Sequence, residues 1–377
     1  MSETQYIGFR ATEKPVSDKD LEYMRQQSSR AEITPWSFDN EYHYGDFHGD
    51  VLTMLRRGYD IHLHYANFGI RKLLIRLPHN LPDTPGARAY FAEDGLQFLK
   101  DKRGQGGILS IDPYHEPGDQ EELWDADEIL DRLVPLRAEI LEGDLRPLYL
   151  AHLAMMSDAE HDPEETTEGP VPAGLGNLTA SQRALAELFG LSDALIAAAA
   201  EGNSGQPMQE DPGELHAGWL QSLLQATKDA WLLEWLADAH SSARSDMLAE
   251  FRKSRPMAVW PTVQRDRTIA ELETAAEDIH KKAVRKADEQ AAQQRAKRLA
   301  DMVADPAPTL RETERLVKLR SRHSYLEIAT LLKDLREALA GTKQSGLAEQ
   351  QAQKLKKENP TLKLLTSELR RAGFVAK

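Results

Sequence analysis

Residues 60–78 read DIHLHYANFGIRKLLIRLP, and this stretch decides the fold of the N-terminal part of the chain. Apolar and polar residues alternate on either side of Asn67 and Gly69, which predicts two β-strands joined by a tight turn. Because side chains alternate across a strand with a period of two, His62 and His64 are expected on one side of the first strand. The sequence therefore predicts a β-hairpin with a polar face that contains histidine.

Strand and helix patterns alternate around this hairpin. Residues 5–11 and 33–44 alternate like strands, and Ser17 stands where it would cap a first helix. A short helix after Asp50, a further helix over 88–101 and a strand over 106–112 complete the pattern. This order predicts a compact α+β unit, with helices on one face of a mainly antiparallel sheet.

Strand patterns nearly vanish after residue 116, and a helix that contains Pro135 is expected to kink there. Residues 268–305 lack Gly and Pro and predict one long charged helix with a thin apolar stripe, which ends at Pro306. Shorter helices follow. The predicted fold class is α+β: a small, mainly antiparallel N-terminal unit, then an all-α region with a long charged helix and a C-terminal helical bundle. The predicted domains are 1–116, 117–260 and 265–377.

Four of the six tryptophans have apolar neighbours within predicted elements. Trp36 lies on a strand, and Trp219, Trp231 and Trp235 lie in helices. We expect all four in the core, because large aromatic side chains are mostly buried. Any of them left exposed would mark a surface for a partner.

Charge is distributed unevenly along this acidic chain, whose formal net charge is −14. Residues 265–377 contain 24 Lys and Arg against 17 Asp and Glu, so this part is basic and the remainder is strongly acidic. Basic residues such as Lys281, Lys282 and Arg285 are candidates for contact with a nucleic acid or another anion. The alternative is a helical face that is simply solvated.

His43, Asp46, His62 and His64 are candidate metal ligands, since first-row metals accept mixed imidazole and carboxylate ligands. No cofactor is expected unless this cluster binds a divalent metal. The alternative is that the histidines lie on a solvated sheet face with local hydrogen bonds, while Asp46 caps the following helix. The chain has no cysteine, which excludes disulfides and cysteine-ligated metal sites.

Lys72 and Arg76 on the second hairpin strand share one face of the sheet. With nearby aromatic residues they are candidates for contact with single-stranded RNA or an anion. The alternative is that both form salt bridges on the sheet surface.

No run of about eighteen apolar residues occurs, and the N-terminus MSETQYIGFR lacks the layout of a secretory signal. We therefore expect a cytoplasmic protein that has no membrane partner.

The segments SSRAEIT (28–34), GDFHGD (45–50) and DIHLHYANFGIRKLLIRLP (60–78), with LLTSELRRAGF (364–374) near the end, resemble an uncharacterised family of bacterial cytoplasmic proteins. The likeness covers most of the chain. It implies a bacterial and cytoplasmic origin, but no activity.

The sequence contains no recognisable catalytic motif, and three functions are considered. The first is a non-enzymatic protein-interaction or scaffold component, with another protein as its partner. The second is a metal-dependent hydrolase, a phosphoesterase or a nuclease, which uses the His/Asp cluster between residues 43 and 64. The third is a nucleic-acid accessory protein that uses the basic C-terminal helices.

Overall fold

The structure, a computed structural model, describes residues 4–43, 45–78, 81, 84–91, 95–102, 106–114, 126–156, 162–203, 212–237, 243–254 and 259–375. Among these residues, no helix combines the length and the apolar character that crossing a membrane requires.

Nine strands and sixteen α-helices are described. The strands are β1 (Gln5–Arg10), β2 (Glu32–Ile33), β3 (Ser37–Tyr42), β4 (Ile61–Ala66), β5 (Ile70–Leu77), β6 (Leu96–Lys100), β7 (Gly107–Ile111), β8 (Val171–Pro172) and β9 (Thr262–Val263). The first eight helices are α1 (Asp18–Gln27), α2 (Val51–Arg57), α3 (Thr84–Arg88), α4 (Ala126–Leu133), α5 (Leu136–Leu141), α6 (Arg146–Met156), α7 (Ala180–Leu188) and α8 (Asp193–Ala200). The other eight are α9 (Pro212–Ser222), α10 (Gln225–Ala237), α11 (Ala243–Ser254), α12 (Ile269–Ala304), α13 (Ala307–Lys318), α14 (Arg322–Ala338), α15 (Leu347–Glu358) and α16 (Lys363–Arg371).

The N-terminal sheet has seven strands in the order β2-β3-β1-β4-β5-β7-β6, and every neighbouring pair is antiparallel. The predicted hairpin is confirmed: β4 and β5 pair from Ile61 opposite Ile75 to Ala66 opposite Ile70. Gly69 has a φ of +107°, a conformation that glycine adopts without a steric penalty. The turn therefore lies where Asn67 and Gly69 predicted it.

Both faces of this sheet are covered, whereas the sequence predicted helices on one face only. On one face Ile7 and Phe9 of β1 pack with Met24 of α1 and Met54 of α2. On the other face Ile61, Leu63, Leu73 and Ile75 pack into a larger core that includes residues of α4, α5 and α6. The one-face prediction is wrong because alternate residues of β1 are apolar on the side that carries the histidines.

The predicted helix over 88–101 is also wrong. Helix α3 ends at Arg88, and residues 96–100 instead form β6, which pairs with β7. Leu96 is buried in the larger core, and Gly95 before it has a φ of +116°, which an α-helix does not contain. The segment therefore joins the edge of the sheet.

Two predicted features of the helices after the sheet are found: the interruption at Pro135 and the long charged helix that ends before Pro306. The helical conformation is interrupted at Pro135, between α4 and α5, because proline removes a backbone donor. Thr179 and Ser192 cap α7 and α8 through their hydroxyl groups. All eleven residues of α6 are buried, and α12 is a continuous helix of 36 residues.

The chain folds into two compact units, residues 1–280 and 281–377. The second unit has its own core, formed by apolar residues of α13, α14, α15 and α16 together with Met302 near the end of α12. An α+β fold followed by a helical C-terminal part is thus confirmed. The finer division at residues 116 and 260–265 stays a prediction.

Gly8 at the centre of β1 allows a buried contact that a larger residue would block. A Cβ atom there would lie 2.4 Å from the Tyr6 hydroxyl oxygen and 2.5 Å from Cδ2 of Leu130 in α4. The Tyr6 hydroxyl donates a hydrogen bond of 2.5 Å to Asp39, the residue opposite Gly8 in β3. The Tyr6 side chain therefore crosses β1 over Gly8, and α4 packs against the same point.

We expect Gly8→Ala to destabilise the N-terminal unit by about 1–3 kcal/mol, because the added methyl group overpacks a site with no free space. All six tryptophans lie within residues 1–280, so urea unfolding followed by tryptophan fluorescence reports on this unit. Gly176→Ala is the matched control, because no atom lies within 4 Å of its added Cβ. Equal free energies of unfolding for the two variants would contradict this packing.

Candidate functional site

His62 of β4 is buried, with 1% of its surface exposed. Its ring stacks on Phe9 with a centroid distance of 4.2 Å, and its Nδ1 lies 2.9 Å from the carbonyl oxygen of Gly8. Since a carbonyl oxygen only accepts, Nδ1 carries the proton and donates it. The expectation that this side of the sheet is solvated is therefore wrong at His62.

Burial lowers the pKa of His62 to about 3, because a charged imidazolium loses its hydration there. Burial also lowers the pKa of His64, and the positive charge of Lys72 adds to this effect. Both imidazoles are therefore neutral near pH 7, which suits hydrogen bonding within the sheet.

His64 belongs to a chain of polar contacts with Gln5 and Asp46. Its Nε2 lies 3.0 Å from Oε1 of Gln5, and Nε2 of Gln5 donates to Asp46 Oδ1 at 2.9 Å. The glutamine side chain thus separates the imidazole from the carboxylate. In this arrangement Asp46 orients Gln5, and Gln5 orients His64.

His43 does not join this chain. Its side chain is exposed, and its Nε2 lies 3.9 Å from a carboxylate oxygen of Glu41. Within the described ranges, no group of three or more His, Asp or Glu residues is placed to hold a metal ion. The structure therefore does not bring His43, Asp46, His62 and His64 together as ligands.

Asp50, and not Asp46, caps α2. The Asp50 carboxylate accepts from the backbone N–H and the hydroxyl of Thr53 at 3.0 and 2.7 Å, and these bonds lower its pKa. The prediction that Asp46 is the cap is wrong, because the helix begins at Val51, four residues later than that role requires.

The two candidate cations of β5, Lys72 and Arg76, have different surroundings. Lys72 forms a salt bridge of 2.7 Å with Asp112, as the non-binding alternative expected. The Nε atom of Arg76 is buried and has no hydrogen-bond partner, while its backbone carbonyl accepts from Arg137 at 2.8 Å. The salt-bridge alternative is therefore confirmed for Lys72, whereas Arg76 forms no ion pair with the residues that the structure describes.

Lys281, Lys282 and Arg285 lie on a part of α12 where every residue from 281 to 298 is exposed. Arg285 forms an i,i+4 ion pair of 2.8 Å with Glu289. Exposed helical ion pairs of this kind contribute little to stability. These three residues are therefore accessible, and their contact with a nucleic acid or another anion stays a prediction.

Sequence reasoning missed the most exposed apolar surface that the structure describes, which lies on α9, α10 and the turn between them. Helix α10 has no buried residue, although its sequence QATKDAWLLEWLA is largely apolar. Leu232, Leu233, Trp235 and Leu236 expose 52, 67, 56 and 79% of their surface. The leucine surface, as we call it, consists of Leu220, Leu224, Leu232, Leu233, Trp235 and Leu236.

Helices α9, α10 and α11 are held together by a small aromatic cluster. The rings of Trp219 and Trp231 lie 6.0 Å apart, and Trp219 lies 5.4 Å from Phe251 of α11. His216 packs edge-on against the same Phe251 at 4.5 Å. This contact fixes the helices to one another, and it leaves the leucine surface outside.

The prediction that four tryptophans belong to the core is therefore wrong, because none of the four is buried. Trp235 is exposed, and Trp36, directly before β3, is 40% exposed, whereas Trp219 and Trp231 are half-buried. The signal in the sequence was the crowding of apolar residues on several sides of α10. Such a pattern normally indicates a buried helix, and here it marks a surface.

We expect the buried His62 to make the N-terminal unit less stable in acid. The unfolded imidazole has a pKa near 6.5 and the folded one near 3, so the unfolded state binds the extra proton between these values. The free energy of unfolding then falls with decreasing pH by at most about 1.4 kcal/mol per pH unit from this group. His62→Gln, which does not titrate, should reduce the slope measured between about pH 6 and pH 4.5.

His43→Gln provides the control, since it makes the same chemical change on an exposed side chain. Urea unfolding at several pH values, followed by tryptophan fluorescence, gives both slopes. An unchanged slope in His62→Gln would show that the imidazole is not kept neutral in the fold.

Comparisons of the chain with protein-family models, curated proteins and solved structures found no match. The resemblance to a bacterial family accordingly stays a prediction. Because no known protein suggests a site, the functional candidates are taken from the exposed residues of this chain.

Proposed function

We propose that the protein is a non-enzymatic interaction or scaffold component of a bacterial cytoplasmic assembly, and that the leucine surface binds a second, different protein. The observation that supports this most is α10, a largely apolar helix with no buried residue. Contiguous apolar surface on a folded protein is typical of an interaction site. The cytoplasmic location and the bacterial origin belong to this proposal.

The exposed side chains of α10 form a row along the helix, and such a row suits contact with a helix or a sheet of the partner. Leu232 and Leu236 are four residues apart, so their side chains lie one above the other on the same side of the helix. Leu233 and Trp235 flank this row and widen it. A partner that covers the row would bury large side chains at the centre of the contact, where binding energy is usually concentrated.

Energetics support binding over a purely structural role for these residues. Full burial of one leucine side chain is worth about 1.5–3 kcal/mol. Much of this stabilisation is absent within the chain for Leu232, Leu233 and Leu236, since each is more than half exposed. A partner protein that covered them would recover it.

The metal-dependent hydrolase has less support than the interaction protein. Its candidate ligands have other partners: His62 bonds to the Gly8 carbonyl, and Gln5 separates His64 from Asp46. No observation on the described residues favours this alternative.

The double variant Leu232→Glu/Leu236→Glu should lose the partner while keeping its fold, because both side chains face solvent. The partner is identified from the complex that co-purifies with the intact chain from its native host. Both proteins are then purified, and their affinity is measured by calorimetry. We expect the double variant to weaken binding by about 100-fold or more, as for central apolar contacts.

Leu326→Glu is the control, because Leu326 is 44% exposed on α14 and belongs to the other unit. It should bind like the unchanged chain. Equal affinity of the double variant and the control would refute the proposed surface. A chain that dimerises through Leu232 and Leu236 in gel filtration with light scattering would also refute it, since the partner would then be a second copy.

A further inference from the structure

We infer that a basic groove between α15 and α16 binds the phosphate groups of a nucleic-acid strand. The groove encloses about 890 Å³ within the C-terminal unit. Its lining is formed by Gln353, Lys356, Lys357, Pro360, Lys363, Thr366, Ser367, Arg370, Phe374 and Val375. Four of these lining residues are cations, and none of them carries a carboxylate.

The four cations are available for a ligand. Lys356, Lys357, Lys363 and Arg370 are all exposed, and none forms an ion pair with the part of the chain that the structure describes. Many other cations of this unit are paired with carboxylates, namely Arg295, Arg298, Arg315, Arg336, Lys354 and Arg371. The groove therefore concentrates positive charge that the fold itself does not neutralise.

The arrangement of the cations matches an extended anion. Lys363 and Arg370 are seven residues apart on α16, which places them about 10 Å apart along the helix axis. Lys356 and Lys357 lie in the last turn of α15, on the other wall of the groove. Charges spread along two walls suit a chain of several phosphates better than a single small anion.

The uncharged residues of the groove favour phosphate over carboxylate groups. Thr366, Ser367 and Gln353 supply hydroxyl and amide donors, and such side chains commonly accompany Lys and Arg at nucleic-acid phosphates. Three of the four cations are lysines, which bind phosphate as point charges. Nucleic acid is therefore the better match than an acidic protein segment.

Charge in the rest of the chain restricts this binding to the C-terminal unit. Residues 281–377 contain 22 Lys and Arg against 12 Asp and Glu, a formal charge of +10, which leaves −24 for the remainder. An acidic surface repels the phosphate backbone. The inference does not depend on the leucine surface, whose residues all lie within residues 1–280.

The test uses the full-length chain and fluorescently labelled oligonucleotides, either single-stranded RNA, single-stranded DNA or duplex DNA. We expect at least one to bind in fluorescence anisotropy, with an affinity that falls as salt rises. For about four phosphate contacts, the slope of log K against log salt should be near −3 for a single strand. Lys363→Glu/Arg370→Glu should weaken binding about tenfold or more and reduce the slope by about 1 to 2.

Lys333→Glu/Lys343→Glu is the matched control, because it changes the net charge equally at cations of the same unit outside the groove. It should bind nearly as well as the unchanged chain. Circular dichroism verifies that both double variants remain folded. Equal losses in the two variants would overturn the groove as the site, and so would the absence of binding to all three oligonucleotides. Polyglutamate that displaces the oligonucleotide at equal charge concentration would assign the groove to acidic proteins instead.

Discussion

Burial on both faces of strand β4 is the constraint on which the N-terminal unit depends. Its side chains alternate between the core that contains α4, α5 and α6 and the core that contains α1 and α2. His62 is accommodated on the second face because it stacks on Phe9 and donates to the Gly8 carbonyl. A buried polar side chain without such a partner would cost about 1–3 kcal/mol. The same strand therefore imposes both the packing of the helices and the neutral state of this imidazole.

This double coverage also explains why the side chains of Asp46, His62 and His64 do not converge as a ligand set in the described part of the chain. His62 donates a hydrogen bond to the Gly8 carbonyl oxygen, and the Gln5 side chain lies between His64 and Asp46. His62, His64 and Asp46 each take part in a hydrogen bond within the fold, and they do not meet at a common point. Two exposed surfaces lie in other parts of the chain. One is the apolar surface on α10, and the other is the basic groove between α15 and α16. We propose a protein contact for the first of these surfaces and a phosphate contact for the second.

Local signals were sufficient to predict much of this fold. The hairpin followed from alternation and from Asn67 and Gly69, and the start of α1 followed from Ser17. Strand β6 was missed because five residues carry too little periodicity to separate a strand from a helix. Its pairing with β7 decides its conformation, and that is a contact along the sheet that the segment alone does not encode.

Burial depended on contacts that the sequence pattern does not specify, and this limited the prediction of functional surfaces. His62 looked solvated, because the Phe9 ring that covers it lies more than fifty positions earlier in the chain. Trp235 looked buried, because a helix that is apolar on several sides usually lies in a core. In the sequence, Lys363 and Arg370 only added to the basic composition of the C-terminal part. In the structure they line a groove between α15 and α16. Composition thus predicted the kind of residue, and only the fold showed its exposure.

Hydrogen–deuterium exchange of the isolated protein, followed by mass spectrometry, tests most directly whether the chain buries its sheet and leaves α10 uncovered. Amides of residues 61–66 and 70–77 should exchange most slowly, because both faces of these strands are covered. Amides of residues 225–237 should exchange much faster, since this helix has no buried residue. Protection of residues 225–237 equal to that of the two strands would contradict the account, because it would place α10 in a core.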